Sequence, residues 1–492
     1  MQTLDTKDLY YKARMSEFLS MIRTLALKPA SGVLLRPVAG LASRLCRKVC
    51  GVKRLSAARP LASGALAALL LSSVLVAPAQ AVIEIEITQG GENAIPIAIV
   101  PFGWSGTGEV PEDVAAIVDA DLHRSGNFAP LNRDDLVAKP VSGDVPRYAN
   151  WRLSGADFLL IGGIRPAGDG YVVEFQLYDV LQQSLMTGFN FQVTDQTLRS
   201  AAHQISDEVY EEILGIPGAF NTQISFVSVS GSVGDGDRRY LLQLADADGE
   251  NPQTMLDSPR PILSPAWAPD GIRIAYVSFE NRTQSAIYIQ DREKGSRIKM
   301  PPRTGINGAP SWSPDGERLA VTLSFEGNAD IYVLQIDSGE FRRVTDSDAI
   351  DTEAVWRDDE TLIFTSDRSG GPQLYEVSAR GGRANRITFE GKYNASATVS
   401  PDGSSVAFVH GAGAGFQIGL LDRASGLFQT LTQGTLDESP SFSPNGQMII
   451  YATEKNGRGT LGAVSLDGSV VQSLSLNDGG SVREPAWSPY SK

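Results

Sequence analysis

PAWAPDG (Pro265–Gly271) is the stretch on which the reading turns. It returns as PSWSPDG (Pro310–Gly316), AVWRDDE (Ala354–Glu360), ATVSPDG (Ala397–Gly403), PSFSPNG (Pro440–Gly446) and PAWSPYS (Pro485–Ser491). Successive copies lie 45, 44, 43, 43 and 45 residues apart, a period that marks a repeat architecture. The third position is Trp267, Trp312, Trp356, Val399, Phe442 or Trp487, an anchor suited to packing between repeats. Pro-Asp-Gly then reads as a turn: Pro fixes φ, Asp bonds back to the backbone and Gly accepts φ > 0. Each of the first five copies leads into a β-rich run such as IRIAYVS from Ile272 or MIIYATE from Met448. A second run follows, such as DIYVLQID from Asp330, and then a Gly-rich turn and a short strand. Four short strands per repeat describe a propeller blade, which hides its apolar faces only against neighbouring blades, so six copies predict a closed ring.

The ends of the repeat region agree with closure. The sixth motif stops before its own second strand, while ISFVSVS (Ile224–Ser230) looks like that strand without a motif in front of it. Pairing them makes one blade from both ends of the domain and removes two open sheet edges.

Upstream of the ring the period is absent. Ile95–Val100, Asp157–Ile164, Tyr171–Val180 and Gly188–Val193 read as strands, and Pro111–Arg124 and Thr197–Leu214 as amphipathic helices, the second capped by Gly215. The expected fold is therefore a two-domain α+β/all-β chain: a small N-terminal α/β domain over 82–216, with a mobile segment at 82–94, and a six-bladed β-propeller over 217–492, closed by pairing of its N- and C-terminal strands. Three scattered histidines, His123, His203 and His410, lack the neighbours of a catalytic triad or zinc site and read as structural or solvated.

Residues 51–81 have the order of an export signal: a basic stretch, an uncharged run from Leu61 to Ala77, and Ala79-Gln80-Ala81. Cleavage after Ala81 is expected, leaving 411 residues from Val82, soluble and not membrane-spanning. The run begins later than in ordinary signal peptides, which suggests a true start downstream of Met1. Cys46 and Cys50 both fall in this leader, without a further Cys or nearby His to complete a metal site. Of 43 basic and 57 acidic residues, 12 and 3 lie in residues 1–60, so the remainder carries a net charge of −23. Such a body repels nucleic acid and anionic surfaces.

The export site APAQA, the strand IPIAIVPF from Ile95, GADFLLIGGI from Gly155, the SPDG blades and LDESPSFSPNG from Leu436 together resemble the TolB family of periplasmic propeller proteins, from Val82 to the end. The resemblance implies a non-enzymatic adaptor of the Tol-Pal system that supports outer-membrane integrity during cell division. It binds the lipoprotein Pal through the propeller, and so associates peripherally with the outer membrane, and binds TolA through the mature N-terminus; some colicins exploit the family. In VIEIEITQGGEN, Val82, Ile83, Ile85 and Ile87 with the intervening Glu84 and Glu86 form a strand able to join a partner's sheet. The alternative is an edge strand packed on its own domain. A docked tail that releases reconciles the two.

For Pal, the informative residues precede each motif, in loops at one mouth of the ring. Asn307, Thr352 and Glu353 match the family's contacts best, and Asp437 and Glu438 occupy the corresponding loop of the fifth repeat. Position 306 is Ile where the family is expected to carry His. Glu353→Ala is expected to weaken Pal binding alone, and removal of 82–89 to do the reverse. The acidic rim has two other readings, solvated turns or calcium ligands in the channel; no cofactor is required. A propeller hydrolase is the main rival, but the chain has no GxSxG elbow. A peptidoglycan- or sugar-binding propeller is the second rival.

Overall fold

The computed structural model describes residues 84–89, 94–231, 237–281, 284–413, 415–475 and 480–490. The leader cysteines, the cleavage site, Val82 and Ile83 lie outside these residues.

Six antiparallel sheets form the ring. Blades one to four have inner strands Ile262–Trp267, Asn307–Trp312, Asp351–Asp358 and Asn394–Val399, each followed outward by three more strands. Blade five runs from Glu438–Phe442 through Met448–Lys455 and Arg458–Ser465 to Val471–Ser475. Blade six is composite. Its inner strand, Ser481–Trp487, comes from the C-terminus and pairs with Gln223–Ser230, which continues to Arg239–Asp246 and Gln253–Ser258. Trp487 stands opposite Ile224, and Ser488 and Gln223 exchange two further hydrogen bonds of 2.8 and 3.0 Å. The expected closure is thus present.

The motif residues show why the ring is rigid. The indole N–H of Trp267 donates to the Ala486 carbonyl at 3.1 Å, that of Trp312 to Ala266 at 3.0 Å, and that of Trp356 to Ser311 at 3.1 Å. Each acceptor is the second residue of the preceding motif, so one blade is tied to the next at the same height. The Arg273 and Arg318 guanidiniums lie over Trp312 and Trp356, 4.7 and 4.6 Å from the ring centroids. In the turns, Asp270 accepts the N–H groups of Ile272 and Arg273, and Asp402 that of Ser404. Trp312→Ala is expected to cost about 3–5 kcal/mol in denaturant unfolding, from the cavity it leaves. Trp312→Phe should cost distinctly less, since it keeps most of the packing and loses the hydrogen bond.

The N-terminal region is a mixed sheet. Ile95–Ile99 lies parallel to Phe128–Pro130 and to Phe158–Ala167, and Gly170–Asp179 and Ser184–Val193 continue antiparallel. Helices α1 (Val114–Arg124) and α3 (Leu198–Leu214) belong to one apolar core, burying Val118, Leu122, Ile205 and Val209. The short helix α2 (Tyr148–Leu153) places Trp151 in a second core with Leu159 and Val180. Helix α1 starts at Val114 rather than Pro111, because the Asp113 side chain accepts the Ala116 N–H at 3.0 Å and caps it there. Gly215 ends α3 with φ of 71°, as expected. Helix α2 and the strand Phe128–Pro130 were not anticipated from the sequence.

Glu84–Gln89 adds a fifth strand to the outer edge of blade five, antiparallel to Val471–Ser475, with Ile85 opposite Leu474 and Ile87 opposite Gln472. The tail is therefore docked on the propeller, not on the α/β domain as the edge-strand alternative had it.

Candidate partner-binding site

Every inner strand carries the same irregularity just before its motif. Ser264, Ala309, Glu353, Ser396, Ser439 and Glu484 all have φ between 46 and 54°, and the pairing register jumps at each. These are β-bulges with a left-handed non-glycine residue, a conformation held only where surrounding contacts over-determine it. Two of the contacts are visible. The Glu353 carboxylate accepts the Ser396 N–H at 3.2 Å and the Thr365 hydroxyl at 3.3 Å, and the Glu484 carboxylate accepts the Ser264 N–H. In both cases a bulge glutamate grips the corresponding bulge of the next blade. The bulges open on a channel of about 1230 Å³, lined by Leu263, Glu353, Tyr393, Phe416, Glu438 and Arg483 among others.

The structure divides the five residues singled out for Pal. Glu353 and Glu438 line the channel, and Thr352 is half-buried beside Glu353, 3.3 Å from the Thr322 hydroxyl. Asn307 is 2% exposed; its side chain accepts from Arg303 N and donates to the carbonyls of Arg303 and Gly305, locking its own loop. Asp437 is 1% exposed and accepts from Thr432, Thr453 and Gly434. Burial pushes its carboxyl above the usual range despite these donors. Ile306 is also buried. Asn307 and Asp437 thus shape the mouth from behind it.

Sequence reasoning missed a charged cluster joining the α/β domain to blade six. His203 of α3 has Nδ1 2.7 Å from the Asp121 carboxylate of α1 and Nε2 3.7 Å from that of Asp248, on the outer hairpin of blade six. Arg124 holds the other Asp121 oxygen at 3.0 Å, the Ser206 hydroxyl donates to Asp121 at 2.7 Å, and Arg199 reaches Asp246 at 3.3 Å and also Asp248. Burial disfavours a charged imidazole, but Asp121 and Asp248 outweigh it and hold the His203 pKa above its ordinary value. Protonated His203 balances the three aspartates together with Arg124 and Arg199. Among the described residues, Asp121, His203 and Asp248 are the group whose donor atoms all lie within 4.8 Å of one another, and Arg124 and Arg199 already pair with its two carboxylates. One turn along α3, Asp207 accepts the N–H groups of Phe220 and Asn221, and burial pushes its carboxyl to about 6. His123 is exposed, and buried His410 sits 2.8 Å from the Asn394 side chain, its pKa lowered by burial. These environments fit the structural and solvated roles read from the sequence.

A closed six-bladed propeller with an open channel, joined to a small α/β domain, defines a two-domain propeller protein. Residues 83–186 match the sequence model of the TolB amino-terminal domain and residues 210–491 that of the TolB beta propeller domain. The chain is 51% identical over 426 residues to the Tol-Pal system protein TolB of Thioalkalivibrio sulfidiphilus, covering 86% of this chain and 97% of that one. It is 46% identical over 431 residues to the protein of the same name from Xanthomonas campestris pv. campestris strain B100, covering 87% and 97%. The crystal structure of TolB from Acinetobacter baumannii superposes with a TM-score of 0.77 at 40% identity, covering 83% of this chain and all of that one. The chain belongs to the TolB family. Among the described residues, no helix is long and apolar enough to cross a membrane.

Proposed function

We propose that this chain is the periplasmic adaptor of a Tol-Pal envelope system, exported and cleaved after Ala81, with an α/β domain over 82–216 and a propeller over 217–492. Its propeller mouth binds Pal, with Thr352, Glu353 and Glu438 facing the ligand and Asn307 and Asp437 holding their loops in shape. Its mature N-terminus, from Val82 through Ile87, binds TolA by strand addition. Through Pal it attaches peripherally to the outer membrane and supports envelope integrity during division.

The observation that carries the reading is that both candidate sites meet on blade five. Glu438 opens on the channel at the start of that blade's inner strand, while Glu84–Gln89 pairs along its outer edge. An added outer strand is held mainly by backbone hydrogen bonds that a partner's sheet edge supplies equally well. Tail docking and TolA binding are therefore mutually exclusive uses of the same strand. Affinity capture from envelope extracts, with the full protein as bait, is expected to recover both partners. Deleting 82–89 should remove TolA and leave Pal.

A further inference from the structure

The mouth has a cationic sector. In blade six, Ser481 pairs with Val229, Val229 with Tyr240 and Tyr240 with Ser258, a row of residues running across the channel end of the blade. Three arginines lie within two residues of that row: Arg483 on the inner strand, Arg238 just before the third strand and Arg260 just after the outer one. The fold therefore brings residues up to 245 positions apart to one edge, and all three line the channel.

None of the three has an ion pair or side-chain hydrogen bond among the described residues. Arg238 stacks over the Tyr240 ring, 5.5 Å from its centroid, and its Nε is buried without a partner. The adjacent carboxylates are committed elsewhere. Glu484 holds the Ser264 backbone, and Asp257 pairs with Arg239 at 2.6 Å. This is unusual in a body of net charge −23, where acidic groups outnumber basic ones and arginines find partners readily. Guanidiniums left unpaired around a cavity are suited to a carboxylate, which accepts their N–H groups two at a time.

We propose that Arg238, Arg260 and Arg483 form a carboxylate-binding sector of the mouth, and that the protein segment entering the channel presents an acidic side chain to blade six. This rests on the reading of the mouth as the Pal site and adds the chemistry of one contact. The sector also orients the ligand, because Glu353 lines the channel on blade three, across the six-bladed ring from blade six, and would repel the same carboxylate.

The test is calorimetric titration of the full-length protein with the soluble domain of Pal, at low and high salt. Arg260→Gln and Arg483→Gln are each expected to weaken binding about tenfold or more and to flatten its salt dependence, leaving thermal stability and TolA binding unchanged. Arg260→Lys should recover part of the loss. Glu438→Trp, which puts a bulky side chain into the channel from blade five and keeps all three arginines in the chain, serves as the comparison. If Glu438→Trp abolishes binding while both arginine variants bind as wild type with the same salt dependence, the carboxylate sector is wrong and the mouth reading stands. If Glu438→Trp has no effect either, both fall.

Discussion

Removing residues 485–492 is expected to unfold the propeller rather than trim it. The deletion takes the last three residues of the inner strand of blade six, including Trp487 opposite Ile224, and the reciprocal bonds between Ser488 and Gln223. It also removes the Ala486 carbonyl that anchors the Trp267 indole of blade one, and the Trp487 indole bonded to Thr222. Blade six keeps only the Ser481–Arg483 part of its inner strand, and Ile224 and Ser225 of the buried strand Gln223–Ser230 lose their partners, which opens an apolar edge where the ring closes. The loss exceeds the roughly 4–5 kcal/mol that marks exceptional single changes. In scanning calorimetry the cooperative transition should disappear or fall by more than about 10 °C. An unchanged melting temperature would show that the ring does not depend on this closure.

The second large effect is expected at Asp121. Its carboxylate, 1% exposed, accepts from Ser206 and faces both Arg124 and His203. Asp121→Ala leaves two buried cations without their anion, a change that typically costs about 3–5 kcal/mol. The same cluster gives stability a pH dependence. His203 binds its proton more tightly folded than unfolded, so its contribution is fully present below the ordinary value of 6.5 and is lost as pH rises through the higher folded value. The groups facing it are Asp121 and Arg124 from α1, Arg199, Ser206 and Asp207 from α3, and Asp246 and Asp248 from blade six. Asp207, raised to about 6, acts in the same direction at lower pH: its protonated form is favoured on folding, so stability falls as pH rises from about 4 to about 6. Asp248, held below the usual value, acts oppositely and only at acid pH. The melting temperature should therefore decline as pH rises above the ordinary histidine value of 6.5, and His203→Gln should flatten that decline. An unaltered slope in the variant would remove His203 from the account.

What the sequence showed, and what it hid, follows from the range of the interactions. Ring order was legible because the tryptophans and Pro-Asp-Gly turns act locally and recur, and the composite blade because its two halves look incomplete apart. The six bulges were not legible: their left-handed residues are Ser, Ala, Glu, Ser, Ser and Glu, none of which announces φ > 0. Asn307 and Asp437 sat in the correct loops, but polar residues that lock a turn and polar residues that face a ligand have the same composition. Helix α2 was missed because six residues without a side-chain cap give too little periodicity. The Asp121–His203 contact spans 82 positions and Asp248 lies in another domain, so no window of sequence contains the cluster. The docking edge for Glu84–Gln89 is nearly four hundred residues away and has no sequence signal of its own.

Two sites on one disc, each dispensable for the other's ligand, is the claim that most needs measurement. The direct test is a crossed titration: wild type, Glu438→Trp and the 82–89 deletion, each against the soluble domain of Pal and the C-terminal domain of TolA. Glu438→Trp is chosen over Glu353→Ala because Glu353 also braces blade four through Ser396. The account predicts that Glu438→Trp loses Pal and keeps TolA, while the deletion loses TolA and keeps Pal. Loss of both partners in either variant, or of neither, would contradict it.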